Sequence, residues 1–532
     1  MPETAHVDVL VVGSGPVGAV YARTAVEAGH RVLMVDAGPQ QSTRLGAHLK
    51  NAYQYQRNID LFTPVVRGQL IPVSTPANAN PEMQLDPCCY QVDLNRYRGL
   101  TTNNQNPNQR PETNIPASAV SYCVGGMTTH WTCATPRHHP VLERSPLLPD
   151  AEWDDLYTEA EQIFGTREDV YDGSLRHELV RESLLAEYRE LAPPYAPRSL
   201  PLAVRRRTDN PALVHWSGTD DVFGPLADGV CPDLFDLRAE HLCTRLFLSA
   251  DGTRVTHAEI RDLTKWRTFR VEARRFVVAC GAVLTPQLLY ASGIRPPALG
   301  RYLTEQPEAF CQVVLSHDLV EAALGRPEYA ERIARHQRER PQDPLPIPVD
   351  EPDPQLWIPV STGRPWHCQI HRDAYHYGQV APNVDPRLVV DLRWFGMAES
   401  RWENRIAFSD DNFDLFGLPQ PTFEFTLSAE DRKTQHAMMG DMLRAACALG
   451  GFLPGSEPRF VTPGVPLHIA GTTRMGKDPA TSVVDVNSQV WGITNLQLGG
   501  NGLIPRGTAS NPTLTSVATA LKGARHLLKE GM

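Results

Sequence analysis

The chain has 532 residues, of which 41% are hydrophobic and 21% charged, with a formal net charge of −10. This length exceeds what one hydrophobic core usually serves, so we expect two intertwined domains. The negative charge and the lack of a basic stripe exclude nucleic acid as a partner, and no run of 18 apolar residues exists that could span a membrane.

The cysteines and the first residues bear on location and metal binding. The ten cysteines show no metal-type spacing, so we predict no metal site. No basic segment followed by a long apolar one opens the chain, so we expect no secretory signal peptide and a cytoplasmic location. In that compartment the cysteines would be reduced and mostly buried.

A nucleotide-binding pattern opens the chain. The apolar run Val7–Val12 leads directly into Gly13, Gly15 and Gly18, and a helical stretch then precedes a second apolar strand ending at Asp36. Gly13 would allow the tight turn, Gly15 the approach of a pyrophosphate, and Gly18 close packing of helix on strand. The helix N-terminus would face the phosphates, and Asp36 could accept from a ribose hydroxyl. The alternative is a glycine-rich turn in another α/β fold.

A second glycine turn, Val124–Pro136, carries one histidine in the run Thr-Thr-His-Trp-Thr. With the rest of the chain from about residue 7 to residue 530, it closely resembles the pyranose oxidases and bacterial glycoside 3-oxidases. These are flavin-dependent sugar oxidases of the glucose-methanol-choline (GMC) oxidoreductase family. The resemblance implies FAD attached covalently through His130, with Thr132 near the reactive edge of the isoalloxazine. A non-covalent flavin beside His130, or a plain loop histidine, are the alternatives. The resemblance places further residues at the cofactor: Gly125, Gly126, Thr129, Trp131, Ala282, Asn501, Asn511 and Thr513.

The resemblance also implies the fold class and its domains. We expect an α/β fold in which a Rossmann-type FAD-binding domain of GMC type is interleaved with an α+β substrate-binding domain, a mixed sheet with flanking helices. The FAD-binding domain would comprise 1–71, 117–150, 240–300 and 460–532, and the substrate-binding domain 151–239 and 301–459. The Asn-, Pro- and Gln-rich segment 72–116 corresponds to a protruding arm in the family. It is either a surface insertion or an assembly element, which leaves a homo-oligomer open.

Several further elements are expected from the residue pattern. Phe276–Cys280 reads as an apolar strand followed by a helix over Leu284–Ser292. Polar, proline-rich Arg326–Pro354 suggests a surface loop with a short helix. Helices are also expected at Ala151–Phe164 and Ser183–Leu191. By resemblance to the family, Val389–Gly396 and Pro419–Phe425 extend the sheet of the substrate domain.

A third motif, Gln369–Gly378, mixes strand alternation with an aromatic loop that ends in glycine. Aromatic faces suit the apolar side of a sugar ring. Pyranose oxidases have a similar run, which there forms a substrate strand and a mobile loop. His376 stands where the family often has Ser. The alternative is a purely structural role, as an edge strand with exposed aromatic side chains. By resemblance the candidate sugar contacts are Gln369, His371, Asp373, Tyr375 and Tyr377.

The expected chemistry lies near the C-terminus. Removal of a hydride from an alcohol carbon needs a base for the hydroxyl proton, and histidine suits that role. By resemblance His468 is the base, Asn511 orients the same hydroxyl, and Pro466 lines the pocket where fungal enzymes have a branched aliphatic. Thr473 replaces a second histidine of the fungal pattern. Alternatively, Asn511 is the N-cap of a helix with Pro512 at its first position.

The resulting expectation is a sugar oxidase. A ring hydroxyl of a pyranose or glycoside would lose its proton to His468 and its hydride to the flavin, and electrons would pass to O2, giving H2O2, or to a quinone. C2 and C3 oxidation both stay open, since fungal members oxidise free glucose at C2 and bacterial relatives oxidise glycosides at C3. A glycoside 3-oxidase with poor activity on glucose and a dehydrogenase with little O2 reactivity are the main alternatives. A cyanohydrin lyase or a flavin-carrying assembly protein fits the motifs less well.

Overall fold

The computed structural model describes residues 4–76, 105–210, 213–372, 374, 378 and 380–529 of the chain. Within these residues, no helix is both long and apolar enough to cross a membrane. The α-helices lie at Pro16–Glu27, Tyr53–Arg57, Thr63–Gln69, Asp150–Phe164, Leu175–Glu187, Thr219–Phe223, Gly281–Ala291, His317–Glu321, Ala330–Glu339, Ala429–Leu449 and Thr513–Lys529.

The first of two large sheets is built on the N-terminal strand. Along this strand, Val9 and Val11 pack into the core on one face of the sheet, whereas Leu10 and Val12 pack into the core on the other. Burial of both faces is typical of parallel strands flanked by helices. The strand order is Phe235–Arg238, Val32–Val35, Thr4–Val12, Arg267–Val278, Val255–Asp262 and His241–Leu248, with Leu496–Leu498 paired in parallel to the end of Arg267–Val278.

The second sheet is antiparallel and has two different faces. Its central strands are Trp366–His371 and Val389–Gly396, and residues alternate between the faces. Cys368, Ile370, Leu392 and Trp394 lie in an apolar core with the helices Leu175–Glu187 and Ala429–Leu449. The other face carries His367, Gln369, Arg393 and Phe395, paired across the strands as His367 with Phe395 and Gln369 with Arg393. The strand order is Gly450–Phe452, Glu308–Leu315, Val389–Gly396, Trp366–His371, Leu356–Ile358 and Arg198–Ser199, with Arg459–Phe460 also beside Glu308–Leu315.

Short two-stranded sheets complete the described strands. They pair Ile71–Pro72 with Ala119–Val120, Thr75–Pro76 with Gln105–Asn106, Val204–Arg206 with Val214–Trp216, and Arg405–Ala407 with Thr422–Glu424.

Most of the expected elements are present. The first two strands flank the helix Pro16–Glu27, the strand Arg267–Val278 precedes the helix Gly281–Ala291, and Val389–Gly396 is a strand with the expected bounds. One helix is displaced: we expected Ser183–Leu191, but the helix spans Leu175–Glu187. Its start is set by Ser174, whose side chain accepts from the backbone N–H of His177.

The expectation for Pro419–Phe425 was wrong, because this segment does not join the second sheet. Its strand Thr422–Glu424 pairs with Arg405–Ala407 instead. Gln109 supplies the reason, since its Oε1 accepts from Phe423 N (2.8 Å) and its Nε2 donates to Phe423 O (2.9 Å). A side chain therefore takes the backbone groups that a sheet neighbour would use.

The segment 72–116 is described only at its two ends, and residues 77–104 lie outside the described part. The ends do not protrude: Asn106 is fully buried, and its Nδ2 donates to the Oγ atoms of Ser74 and Thr422.

One expected domain limit differs from the structure. We placed 151–239 in the substrate-binding domain, but the strand Phe235–Arg238 pairs with the first sheet. The domain limits as a set stay a prediction.

Candidate active site

A cavity lies where the carboxyl ends of the parallel strands meet the polar face of the second sheet. Val12, Val35 and Ala279, which end three strands or follow them directly, line it from the first sheet, and Arg393 and Phe395 line it from the second. Ligands of open α/β sheets bind at this edge of the strands. The N-terminal ends of the helices Pro16–Glu27 and Thr513–Lys529 also reach the cavity, where they favour a negatively charged group.

The three glycines of the first turn have different reasons for lacking a side chain. Gly13 has φ +98°, and a Cβ there would lie 2.5 Å from the carbonyl oxygen of Ala279. A Cβ on Gly18 would lie 2.0 Å from the carbonyl oxygen of Gly13. At Gly15, which lines the cavity, a Cβ would have no protein atom within 4 Å. The packing of the chain therefore requires Gly13 and Gly18, whereas the space at Gly15 is open to a bound group.

Asp36 connects the two glycine motifs. Its Oδ2 accepts from the backbone N–H (3.0 Å) and the hydroxyl (2.6 Å) of Ser14, and its Oδ1 accepts from Gly38 N (2.9 Å). The Ser14 hydroxyl in turn accepts from Gly125 N (3.0 Å). Burial raises the pKa of Asp36, against the effect of these hydrogen bonds. Oδ1 retains a lone pair for a further donor at the cavity wall.

His130 lies at the cavity wall in one defined tautomer. Thr129 Oγ1 donates to Gly126 O (2.9 Å), so it can only accept from Nδ1 of His130 at 2.9 Å. The proton is therefore on Nδ1, and Nε2 accepts from the Ser121 hydroxyl at 3.2 Å. Burial lowers the pKa of His130 to about 3, which keeps the imidazole neutral at ordinary pH. Nε2 thus carries the acceptor electron pair of the neutral ring, which is engaged by the Ser121 hydroxyl.

His468 and Asn511 lie together on the opposite wall. Nε2 of His468 is 3.3 Å from Asn511 Nδ2, and Nδ1 is 2.8 Å from Gln306 Oε1. The pKa of His468 is lowered to about 3, chiefly by burial and then by the charge of Arg393 and the neighbouring histidines. At ordinary pH the imidazole is neutral and can accept a proton.

Asn511 follows a backbone turn that a buried carboxylate fixes. Glu143 Oε1 accepts from Ala509 N and Ser510 N, both at 2.8 Å, and Oε2 accepts from the Ser510 hydroxyl at 2.9 Å. Burial acts to raise the pKa of Glu143, but His138 and the N–H donors outweigh it and lower the pKa. The ionised carboxylate therefore holds the two residues before Asn511 in place.

Comparison with known proteins shows the family to which the chain belongs. GMC oxidoreductase family models match residues 235–308 and 400–520. The chain is 42% identical to pyranose 2-oxidase of Emericella nidulans, over 98% of this chain and 92% of that protein. It is 35% identical to C-glycoside 3-oxidase of Arthrobacter globiformis, over 99% of this chain and 96% of that protein. The chain belongs to the GMC oxidoreductase family.

The fold is also that of the GMC family. Pyridoxine 4-oxidase from Mesorbium loti superimposes with a TM-score of 0.65 at 15% identity, over 99% of this chain and all of that one. The predicted family and the predicted α/β fold, a Rossmann-type domain with a second mixed domain, are thereby confirmed.

The structure brings most of the candidate residues of this GMC protein to one cavity. Gly18, Gly125 and Thr129 lie behind its wall and support it. Asp373, Tyr375 and Tyr377 lie outside the described residues. The candidates that line the cavity are Gly13, Gly15, Asp36, Gly126, His130, Trp131, Thr132, Ala282, Pro466, His468, Asn501, Asn511 and Thr513.

Gln369 and His371 come from the second sheet, and neither of them lines the main cavity. Gln369 Nε2 donates to Asn511 Oδ1 (2.7 Å) and to His367 Nε2 (2.8 Å). His371 lines a smaller hollow beside His130 and Trp131. Among the described residues, the buried atoms Gln369 Oε1 and His371 Nε2 have no hydrogen-bond partner. Buried polar atoms without partners are costly, so both are suited to bind a ligand.

Sequence reasoning missed several residues of the site, among them Ser14, Arg393 and Gln306. Ser14 lies within the first glycine turn and was visible as a polar residue there. Arg393 is buried, forms an ion pair with Glu308 (2.7 Å) and lines the cavity beside Phe395. Gln306 contacts His468 from 162 positions away. No local pattern marks Arg393 or Gln306.

Proposed function

We propose that this chain is an FAD-dependent oxidoreductase that converts a ring secondary hydroxyl of a pyranose or glycoside into a keto group. The observation that carries the proposal is the pair of His468 and Asn511 on one wall of a nucleotide-type cavity. The names of the relatives, pyranose 2-oxidase and C-glycoside 3-oxidase, support a sugar as substrate.

The cavity suits FAD on the chemistry of its lining. Gly15 leaves open space beside the N-terminus of Pro16–Glu27, where a pyrophosphate would be stabilised by backbone N–H groups and the helix dipole. Asp36 would accept from a ribose hydroxyl. Asn501 and Thr513 would contact the flavin at the start of the last helix. When bound, FAD supplies the two-electron acceptor for the hydride of the substrate carbon.

His130 is the proposed point of covalent attachment. Its Nε2 carries the electron pair that bond formation to a carbon requires, because Nδ1 holds the proton toward Thr129. The Ser121 hydroxyl, which contacts Nε2 at 3.2 Å, would have to release it when that bond forms. Trp131 and Thr132 follow at the cavity wall. The neutral state of His130, which its burial maintains, keeps Nε2 available at ordinary pH.

The reacting hydroxyl is placed by the residues on the opposite wall. His468 Nε2 accepts its proton, and Asn511 Nδ2 donates to its oxygen. Gln369 Oε1 and His371 Nε2, both buried without described partners, would bind neighbouring hydroxyls of the sugar. Arg393, which lines the cavity, would be a fixed positive charge that disfavours protonation of His468 before the substrate arrives.

We also infer O2 or a quinone as the electron acceptor and a cytoplasmic location, and a homo-oligomer stays open. O2 is supported by the oxidase names of the relatives. The location is supported by the eight described cysteines, all of which are free.

Anaerobic mixing with a panel of free sugars and aryl glycosides tests the proposal. We expect the flavin absorbance to bleach with at least one of them, and NMR of the product to show a keto group at C2 or C3. Failure of every sugar and glycoside to bleach a flavin that dithionite reduces would contradict the proposed function.

A further inference from the structure

A chain of hydrogen bonds around His468 ends at a backbone carbonyl. Gln306 Nε2 lies 3.0 Å from the carbonyl oxygen of Ser510, and Gln306 Oε1 lies 2.8 Å from Nδ1 of His468. A carbonyl oxygen accepts and never donates, so the Gln306 atom that faces Ser510 has to be nitrogen. The amide oxygen of Gln306 is therefore the atom that faces the imidazole.

This orientation of the amide fixes the tautomer of His468. An amide oxygen also only accepts, so Nδ1 of His468 carries the ring proton and donates it to Gln306. Nε2 is left with its electron pair toward the cavity. Asn511 then has to present Nδ2 to Nε2, at 3.3 Å.

The same order extends to the second sheet. Since Asn511 presents Nδ2 to His468, its Oδ1 accepts from Gln369 Nε2 at 2.7 Å. Gln369 also donates to Nε2 of His367 at 2.8 Å, which uses both of its amide protons. Gln369 Oε1 is thereby the atom left without a partner among the described residues. One carbonyl thus sets the donor and acceptor pattern that a substrate would meet.

Two buried carboxyl groups fix both ends of the Gln306 contact. Glu305 Oε1 accepts from the backbone N–H of Gln306 (2.7 Å) and of His468 (3.2 Å), so both residues are bound to one group. Glu143 accepts from Ser510 N, which places the carbonyl of Ser510. The amide of Gln306 consequently lies between two groups whose positions are fixed, His468 and the carbonyl of Ser510.

We propose that Gln306 is a positioning residue of the reaction, which transfers the polarity of the Ser510 carbonyl to His468 and keeps Nε2 unprotonated and ready to accept the hydroxyl proton. The inference rests on the proposed function, because it assigns His468 as the base. Gln306 itself does not touch the cavity. Its effect is on which nitrogen of the base is free.

Substitutions of Gln306 separate this role from space filling. Gln306→Met keeps the volume but removes the acceptor, and we expect the anaerobic reduction rate to fall roughly 10- to 100-fold, as for other residues that orient a functional histidine, with little change in KM. Gln306→Glu can restore both bonds while its carboxyl is neutral, since C=O accepts from Nδ1–H and O–H donates to Ser510. In either charge state the Glu variant keeps an acceptor for Nδ1–H, so it should retain much more of the wild-type rate than Gln306→Met.

Gln497→Met is the matched control, because Gln497 is a buried glutamine that donates to two backbone carbonyls far from His468. It should lower the Tm and leave the pH profile of reduction in place. Equal rates and equal pH profiles for the Met and Glu variants of Gln306 would overturn the proposal.

The tautomer of His468 can be measured directly, without any turnover of substrate. In protein labelled with ¹⁵N-histidine, the ring signals of His468 are identified by their loss in His468→Ala. We expect a protonated Nδ1 and a bare Nε2 in the wild type and in Gln306→Glu at pH 6, and a mixture in Gln306→Met. A protonated Nε2 in the wild type would refute the inference. If no sugar reduces the wild type, the proposed function fails, and this spectrum alone decides the tautomer.

Discussion

Two glycines in one turn should separate cofactor binding from folding. Gly15 has φ −63° and ψ 176°, a conformation that alanine adopts without strain, and an added Cβ meets no protein atom within 4 Å. An added Cβ on Gly18 would lie 2.0 Å from Gly13 O and 3.4 Å from a methyl group of Val11. An alanine side chain would therefore enter the empty cavity at position 15, and it would clash with the backbone at position 18.

The expected magnitudes follow from these contacts. For Gly15→Ala, reduced freedom of the unfolded chain and a poorer N-cap oppose each other, so the free energy of unfolding of the apoprotein changes by less than about 1 kcal/mol. For Gly18→Ala, helix and strand have to separate, which costs about 1–3 kcal/mol or more. The Cβ at Gly15 takes the space of the pyrophosphate, and we expect a Kd for FAD at least ~10-fold higher, or about 1.4 kcal/mol.

The assay uses a His130→Ala background, so that FAD binds reversibly. Urea unfolding of the apoprotein gives the stability of each variant, and quenching of flavin fluorescence during titration gives the Kd. We expect Gly15→Ala to unfold like its parent and bind FAD weakly, and Gly18→Ala to unfold at lower urea. Tight binding of FAD to Gly15→Ala would refute the assignment of the cofactor to this turn. Equal stability of the two alanine variants would refute the packing argument.

Other predictions concern the histidines. His468→Ala should slow anaerobic reduction by sugar by roughly 10²- to 10⁴-fold, and near-wild-type reduction would remove His468 from the mechanism. After acid precipitation, yellow colour should stay in the wild-type pellet and leave it in His130→Ala; a colourless wild-type pellet would contradict covalent attachment. Burial lowers the pKa of His48, His130 and His468 to about 3. Their stabilising effect is present above pH 6.5 and is lost as pH falls toward 3, at up to ~1.4 kcal/mol per pH unit for each histidine. A urea midpoint that stays constant from pH 6.5 to pH 4 would count against this.

The parts of the fold that could be predicted are those with a local signal. The strand–turn–helix around Gly13 and the strand that precedes Gly281 were visible because apolar runs border glycine turns in the sequence. Buried strands of this kind are almost wholly apolar, so they stand out in any window of the chain. The walls with His130 and with His468 were predicted from the resemblance to the family, whose motifs are continuous stretches of the sequence.

The remainder depends on contacts between distant residues. Thr422–Glu424 has the residue types of a strand for the second sheet, but Gln109 occupies its backbone groups from 314 positions away. The contact of Gln306 with His468 likewise spans 162 positions. A hydrogen bond between two distant polar side chains leaves no periodic pattern in the sequence. Contacts such as those of Gln109 and Gln306 are therefore visible only in the three-dimensional structure.

Asn511 shows how a local preference gives way to the site. Asparagine directly before Pro512 favours an N-cap, yet the helix begins at Thr513, and Ser516 N donates to Pro512 O. Both polar atoms of the Asn511 side chain bond to residues of other segments, Gln369 and His468. A capping side chain would instead satisfy the helix N–H groups that point toward the cavity. Giving up the cap costs about 1 kcal/mol. Under the proposed function, Asn511 would in exchange orient the base, and the helix end would stay directed at the cofactor. Residues that depart from the local rule in this way mark functional positions.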